Sequence, residues 1–399
     1  MPQNWKPTRI GNICKTNQQT YSVSENWPFV NYLDTGNITE NRISDIQHIV
    51  IGQDTLPSRA RRKVAVDDIL YSTVRPNQRH YGIVKEVLPN MLVSTGFAVI
   101  TSDKVKADAD FLYYYLSQND IVDSLQAIGE QSVSAYPSIK PSDIENLELL
   151  LPSFPEQVEI GRTLRVLDDK IANNSKINHH LEQIAQAIFK SWFVDFEPFG
   201  GEQPTQWQTG SLTDIADYLN GLAMQRFRPA EGEVGLPVLK IKELRQGSCD
   251  SSSELCSPNI RTDYIVHDGD VIFSWSGSLL VDFWCGGDCG LNQHLFKVTS
   301  RKYDKWFYYA WTCHHLARFV AMAADKTTTM GHIKREALEN AEVIIPDEDS
   351  YRQLGVLLAP LYEQVINNRI ESRKLSQLRD SLLPKLMTGE ISMEAALDE

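Results

Sequence analysis

Residues 138–147 read SIKPSDIENL, and residues 332–341 read HIKREALENA. Ile139-Lys140 falls on Ile333-Lys334 and Glu145-Asn146 on Glu339-Asn340, an offset of 194 residues. The same offset runs on without a gap: Leu151-Pro152 falls on Ile345-Pro346, and Asn173-Asn174 on Asn367-Asn368. A single offset held over this many matched types marks an internal duplication. Upstream the copies align with a changed offset, so their loops differ in length. VDDILYS at 66–72 pairs with DGDVIFS at 268–274, and FLYYYL at 111–116 with WFYYAW at 306–311. Each copy therefore reads as a β-type segment ending in aromatic-Ser, an aromatic helix-like segment, a short closing strand (147–151 and 343–345), and a long helix.

The helices follow from spacing. Steps of four and three from Ile160 give Leu164, Leu167, Ile171, Asn174, Asn178, Leu181, Ala185, Ile188 and Trp192. Adding the offset gives Leu354, Leu358, Leu361, Val365, Asn368, Ser372, Leu375, Arg379, Leu382 and Leu386. This is a coiled-coil seam, with a polar break at Asn174 and Asn368 in both copies; a polar seam residue lowers stability and sets register. A helix of about 38 residues extends to roughly 57 Å, too far for one domain of this size to cover. Two such helices in one chain most simply cover each other. Pro360 and Pro384 are expected to kink or shorten the second. The resulting division is two globular regions, 1–152 and 198–345, and two helical regions, 153–197 and 346–399.

The 399 residues are 42% hydrophobic and 23% charged, which fits a soluble globular protein of more than one domain. No apolar run is long enough for a membrane span, and the start, MPQNWK, has no apolar signal region. A cytoplasmic location is expected. Six Cys at no framework spacing fit a reducing compartment. Net charge is −13, but 9 of the 13 excess acids lie in residues 151–219 and 346–399, so a local basic face remains open to each globular region.

The densest basic stretch lies in copy one. Residues 55–90 hold Arg59, Arg61, Arg62, Lys63, Arg75, Arg79 and Lys85 against Asp67, Asp68 and Glu86. Interleaved Ser72, Thr73, Asn77 and other polar or aromatic residues suit phosphate and base-edge contacts; a merely solvated basic loop is the competing reading. The equivalent copy-two loop, WSGSLL after Ser274, is neutral and would reach a base edge through Ser276 or Ser278. A second matched loop precedes each Ile-Lys pair. It holds Gln131, Ser132 and Tyr136 in copy one, and Lys326, Thr327, Thr328 and His332 in copy two.

Catalytic signatures are missing. There is no phosphate loop, HExxH or GxSxG, and no Asn/Asp-Pro-Pro-aromatic loop of an amino-methyltransferase. Cys249, Cys256, Cys285, Cys289, Cys313 and His314 fit no standard zinc spacing, so no metal and no catalytic residue is expected. A coiled-coil scaffold with two protein-binding domains and no nucleic acid is the alternative function. A metal-dependent enzyme built on the Cys/His set is a third.

LPSFPEQ at 151–157 opening a long helix, its degenerate copy IPDEDSY at 345–351, the Asn-Asn pairs and SLLPKLMTGEI at 381–391 together resemble the DNA-specificity subunit of type I restriction-modification systems. The resemblance spans nearly the whole chain and is strongest in the helical regions. It implies an α/β (α+β) fold: two tandem target recognition domains with mixed, curved β-sheet, each followed by a long helix, the helices pairing as an antiparallel coiled coil. Each domain would read half of a bipartite double-stranded DNA site. The chain itself would lack catalysis and cofactors. Two methyltransferase subunits would bring S-adenosylmethionine, and two restriction/translocase subunits would bring ATP and Mg. Carried onto this sequence, the DNA-facing candidates are Ser72, Thr73, Arg75, Asn77, Arg79, Gln131, Ser132 and Tyr136, then Ser274, Ser276, Ser278, Lys326, Thr327, Thr328 and His332. Asp347-Glu348-Asp349 departs from the family pattern.

Overall fold

In a computed structural model, the described residues are 4–132, 136–324 and 333–391. The duplication in the sequence is a duplication of sheet topology. In copy one, strands Cys14–Thr16, Phe97–Ser102, Ile69–Ser72 and Tyr81–Ile83 pair in that order, all antiparallel. In copy two, Asp217–Asn220, Leu295–Thr299, Val271–Ser274 and Leu280–Phe283 repeat the same order and sense. A second four-stranded sheet in each copy is mixed. Phe29–Leu33 runs parallel to Met91–Ser94, as Leu236–Leu239 does to Cys289–Leu291. A two-stranded ribbon closes each copy: Lys6–Arg9 with Glu148–Leu151, and Gln208–Ser211 with Glu342–Ile345.

The strands Ile69–Ser72 and Val271–Ser274 are buried at every position, because both faces of their sheets are covered. The aromatic segments are helices, Ala109–Ser117 and Lys305–Ala324, with Phe111, Leu112, Trp306 and Phe307 at most 2% exposed.

Two long helices follow the closing strands, Phe154–Phe193 and Glu348–Met387. The motif LPSFPEQ anchors the first. Gln157 is 1% exposed, and its amide spans three backbone groups: it donates to the Lys106 and Pro152 carbonyls and accepts from the Asp108 N–H. The acidic departure at the second start is an N-cap. The Asp347 carboxylate accepts from the backbone N–H groups of Asp349 and Ser350 and from the Trp207 indole N–H. Pro360 and Pro384 do not shorten the helix, which runs through both. Both prolines are on the exposed side, where water satisfies the carbonyls that lose an intrahelical partner.

The chain divides into two compact units, residues 1–169 with 376–399, and 170–375. Each takes its globular region and a portion of both long helices. Every seam position named above is buried or half-buried. In the first unit Asp168 accepts from the Tyr114 hydroxyl at 2.7 Å and from Arg379 at 2.6 Å, tying both helices to the aromatic helix. In the second unit 170–193 and 348–375 run antiparallel, with Asn174 beside Asn368, Glu371 and Ser372, and Asn178 beside Val365. Gly161 lets the first helix lie against the start of the aromatic helix: a Cβ there would come 2.7 Å from Asp108 Oδ1 and 2.9 Å from the Phe111 nitrogen. Its repeat equivalent, Gly355, sits over Trp306 with more room, 3.5 Å from the indole nitrogen.

Candidate nucleic-acid interface

In copy one the fold joins the two loops singled out from sequence, and in copy two it ties the first of them to Ile333. In copy one the hairpin Ile69–Ser72/Tyr81–Ile83 presents loop 73–80. The Ile139 N–H donates to the Thr73 carbonyl at 2.9 Å, Val74 bridges Ser138, and the Arg75 N–H donates to the Pro137 carbonyl at 2.9 Å. In copy two the Ile333 N–H donates to the Trp275 carbonyl at 3.1 Å, across the shorter loop 275–279. Ile333 is the repeat equivalent of Ile139. One backbone device thus fastens the hairpin tip to the isoleucine of the Ile-Lys pair in each repeat.

Loop 73–80 is conformationally costly. Arg75 (φ 48°) and Arg79 (φ 55°) are left-handed and flank the single turn Pro76–Gln78. Non-glycine residues rarely adopt this region, and such strain persists only where surroundings over-determine it. Here they do. Thr73 donates twice to the Gly96 carbonyl, at 2.8 and 2.9 Å, and the Asn77 N–H reaches Gln126 Oε1 at 3.3 Å. The Arg75 guanidinium lies 4.5 Å from the centroid of the Tyr136 ring, which is 56% exposed. A cation stacked on a partly exposed aromatic ring suits a phosphate or base edge.

The candidates divide by environment. Asn77, Gln131 and Tyr136 are exposed; Thr73, Arg75 and Ser132 are half-buried. Ser72, Ser274 and Ser276 are corrected from surface to interior, at 2%, 0% and 1% exposure. The Ser72 hydroxyl donates to the Val74 carbonyl, and that of Ser274 to the Ser278 carbonyl, both at 2.9 Å. They close the hairpin turns, because the last residue of a two-sided buried strand has no route to solvent. Arg79 is also committed within its unit, to Asn119 Oδ1 at 2.6 Å, the Tyr81 hydroxyl at 3.3 Å and Glu40 at 3.6 Å. Burial works to lower its pKa, but Tyr81, Glu40 and Asp123 raise it, so it is a fixed cation lining a polar cavity of about 440 Å³ with Asp168 and Arg379. Lys326, Thr327, Thr328 and His332 lie outside the described residues.

Other basic groups come from elsewhere in the chain. The copy-two loop is not neutral in space, because Arg245, exposed on the helix Ile241–Gln246, donates to the Ser278 hydroxyl. Lys242 is exposed on the same helix. The helix is set by a capping contact, the Lys240 N–H to the carboxylate of Glu243, itself 4% exposed. The meeting of Arg245 with Ser278 has no local sequence signal. In copy one Arg59 reaches the other side of the loop: a Cβ at Gly96 would meet Arg59 Nη2 at 3.0 Å and Thr35 Cγ2 at 2.8 Å.

The copy-two cysteines do not gather at one point, although Cys249 and Cys289 are hydrogen-bonded neighbours. Cys285 faces the Ile366 carbonyl at 3.9 Å, Cys313 lies on the aromatic helix, and Cys256 and Cys289 lie in the mixed sheet. Among the described residues no group of three or more His, Cys, Asp or Glu is gathered to hold a metal, and no helix is long and apolar enough to cross a membrane.

The sequence matches the model of the type I restriction modification DNA specificity domain twice, over residues 2–183 and 204–377. It is similar to the MjaIX specificity subunit of a type I restriction enzyme from Methanocaldococcus jannaschii, 27% identical over 99% of this chain and 95% of that one. It is also similar to the HindI specificity subunit from Haemophilus influenzae, 22% identical over 97% of this chain and 100% of that one. Among solved structures, the S subunit of a type I restriction-modification system from M. genitalium shares the fold, with a TM-score of 0.61 at 15% identity over 96% of each chain.

Proposed function

The chain belongs to the family of type I restriction-modification DNA specificity subunits, and from that premise we propose that each repeat reads one half of a bipartite double-stranded site through its hairpin tip. The observation that supports this most is the shared fastening, Ile139 to Thr73 and Ile333 to Trp275. It holds the hairpin tip to the same residue of the repeat in both copies, while the side chains of the tip loops differ. Arg75 with Tyr136 would serve one half-site, and Arg245 with Ser278 the other. Common backbone with divergent side chains is what two readers of different sequence require.

The chain contributes recognition and no chemistry of its own. Two methyltransferase subunits would supply S-adenosylmethionine, and two restriction/translocase subunits would supply ATP and Mg. The paired long helices would set the gap between half-sites, since major-groove positions on one face of DNA recur about every 34–36 Å and a 40-residue helix spans roughly 60 Å.

The test is capture of genomic fragments by the complex of this chain with its methyltransferase partner, followed by sequencing. A two-part motif with a fixed gap, retained less as salt rises, is the expected result. Absence of any retained fragment, with binding insensitive to salt, would leave the protein-binding scaffold as the better reading.

A further inference from the structure

In copy two, the tip loop 275–279 is carried by the hairpin Val271–Ser274/Leu280–Phe283. Two arginines one turn apart on the second long helix grip that hairpin. Arg373 forms a two-pronged pair with Asp268 at the hairpin base, Nη1 to Oδ1 and Nη2 to Oδ2, both 2.7 Å, and donates to the Cys285 carbonyl at 2.6 Å. Arg369 donates to Asp282, on the second strand, at 2.6 Å and to the Phe283 carbonyl at 3.3 Å; its other arm reaches Glu182 of the first long helix at 2.9 Å. The side chains of Arg369, Arg373, Asp268 and Asp282 are only 22–29% exposed, so solvent screens these pairs less than surface ones. Asp268 is held further by the Gly287 N–H at 2.8 Å.

Apolar packing does not do this work alone. A cavity of about 580 Å³ opens beside Asp282 and Arg369, lined also by Val281, Tyr309, Phe189 and Tyr362. Where side chains do not fill the space, directional charge-assisted hydrogen bonds define the relative position of two elements.

The grip belongs to copy two only. At the repeat-equivalent positions, Arg369 and Arg373 become Ser175 and His179, while Asp282 and Asp268 become Gly82 and Val66. Neither side of either ion pair exists in copy one.

We infer that Arg369 and Arg373 are positioning residues that fix where the copy-two reading loop stands on the long helix, and so set which gap between half-sites this subunit accepts. The inference rests on the reading that each repeat reads one half-site. It assigns gap selection to a side-chain clamp as well as to helix length, and it predicts that gap and base preference are separable.

The test uses the full chain with its methyltransferase partner and a DNA library holding both half-sites constant while the gap varies by single base pairs. For Arg373→Gln, and more strongly for Arg369→Gln with Arg373→Gln, neighbouring gaps should rise relative to the wild-type gap by roughly tenfold, the scale of one charge-assisted hydrogen bond. Base preference in both half-sites should stay as it was. The exchange Arg373→Asp with Asp268→Arg should restore the narrow gap profile. Arg373→Lys, which keeps the charge and loses the fork, should restore it only in part and provides the readout if a neutral variant fails to fold. A uniform loss of binding at every gap, or a changed base preference, would overturn the assignment. If wild type itself shows no gap-dependent binding to any two-part sequence, the half-site reading fails, and the positioning role falls with it.

Discussion

The Asn174 side-chain amide donates to the main-chain carbonyl of Asn368 at 3.4 Å, and the two residues stand 194 apart, the offset of the sequence repeat. Equivalent positions of a duplicated helix therefore meet each other, as residues on the axis of an isologous interface must. The neighbouring pairs obey the same relation. Asn174 reaches Ser372, and the equivalent pair, Asn368 and Asn178, is joined at 2.8 Å.

This network sets the first prediction. Asn174, Asn178 and Asn368 are at most 8% exposed, so a deleted partner leaves a buried polar group unpaired. Asn368→Leu orphans Asn178 Oδ1 and should destabilise the chain by about 1–3 kcal/mol, read as a lower urea midpoint. Asn174→Leu with Asn178→Leu and Asn368→Leu together should recover that loss but relax register, seen as broadened helix crosslinking patterns. A single, unchanged crosslink in the triple variant would refute the register role.

The two repeat glycines should respond with opposite sign. Gly161→Ala forces a Cβ against the Phe111 nitrogen and the Asp108 cap, and should cost about 1–3 kcal/mol. Gly355→Ala meets only ordinary contacts and removes backbone entropy from a helix, so it should add about 0.5–1 kcal/mol. Thermal unfolding of the two variants side by side checks this, and a shift of the same sign in both would contradict the difference in approach.

Half-site recognition should separate by residue. Arg75→Ala should weaken binding to one half-site, and Arg245→Ala to the other, each by roughly 1–3 kcal/mol with the second preference unchanged. Competition binding with each half-site randomised in turn is the measurement. Equal loss at both halves from either variant would misplace that residue.

A pH dependence follows from His315. Its ring is 8% exposed and donates Nε2–H to the Glu342 carbonyl at 2.7 Å. Burial lowers its pKa below 6.5, helped by His314 and Arg318 and opposed by the carbonyl. The unfolded imidazole takes up its proton near 6.5 while the folded one does not, so the unfolded state binds more protons in that window. Stability should then be full above about pH 6.5 and fall as pH drops toward the lowered folded value. Urea midpoints from pH 7.5 to 5.5 should show this slope, reduced in His315→Gln; His314, also depressed by burial, accounts for part of the remainder.

The duplication, the long helices and their polar break were legible in sequence because each is a one-dimensional pattern: an offset, a period of three and four, and Asn at one place in both copies. Every position on that period is buried or half-buried. What the pattern did not contain was which hydroxyls face water. Ser72, Ser274 and Ser276 stand at strand ends or in a loop by sequence, yet all three are buried, and the hydroxyls of Ser72 and Ser274 close the hairpin turns. Pro360 and Pro384 look like breaks, yet on an exposed helical face the lost hydrogen bonds pass to water. The basic group beside Ser278 comes from Arg245, 33 residues away, because two strands and a helix must first pack before those side chains meet. Period and repetition are local and were determined by the sequence alone; burial and the company each side chain keeps depend on closure over long separations, and only the tertiary structure decided them.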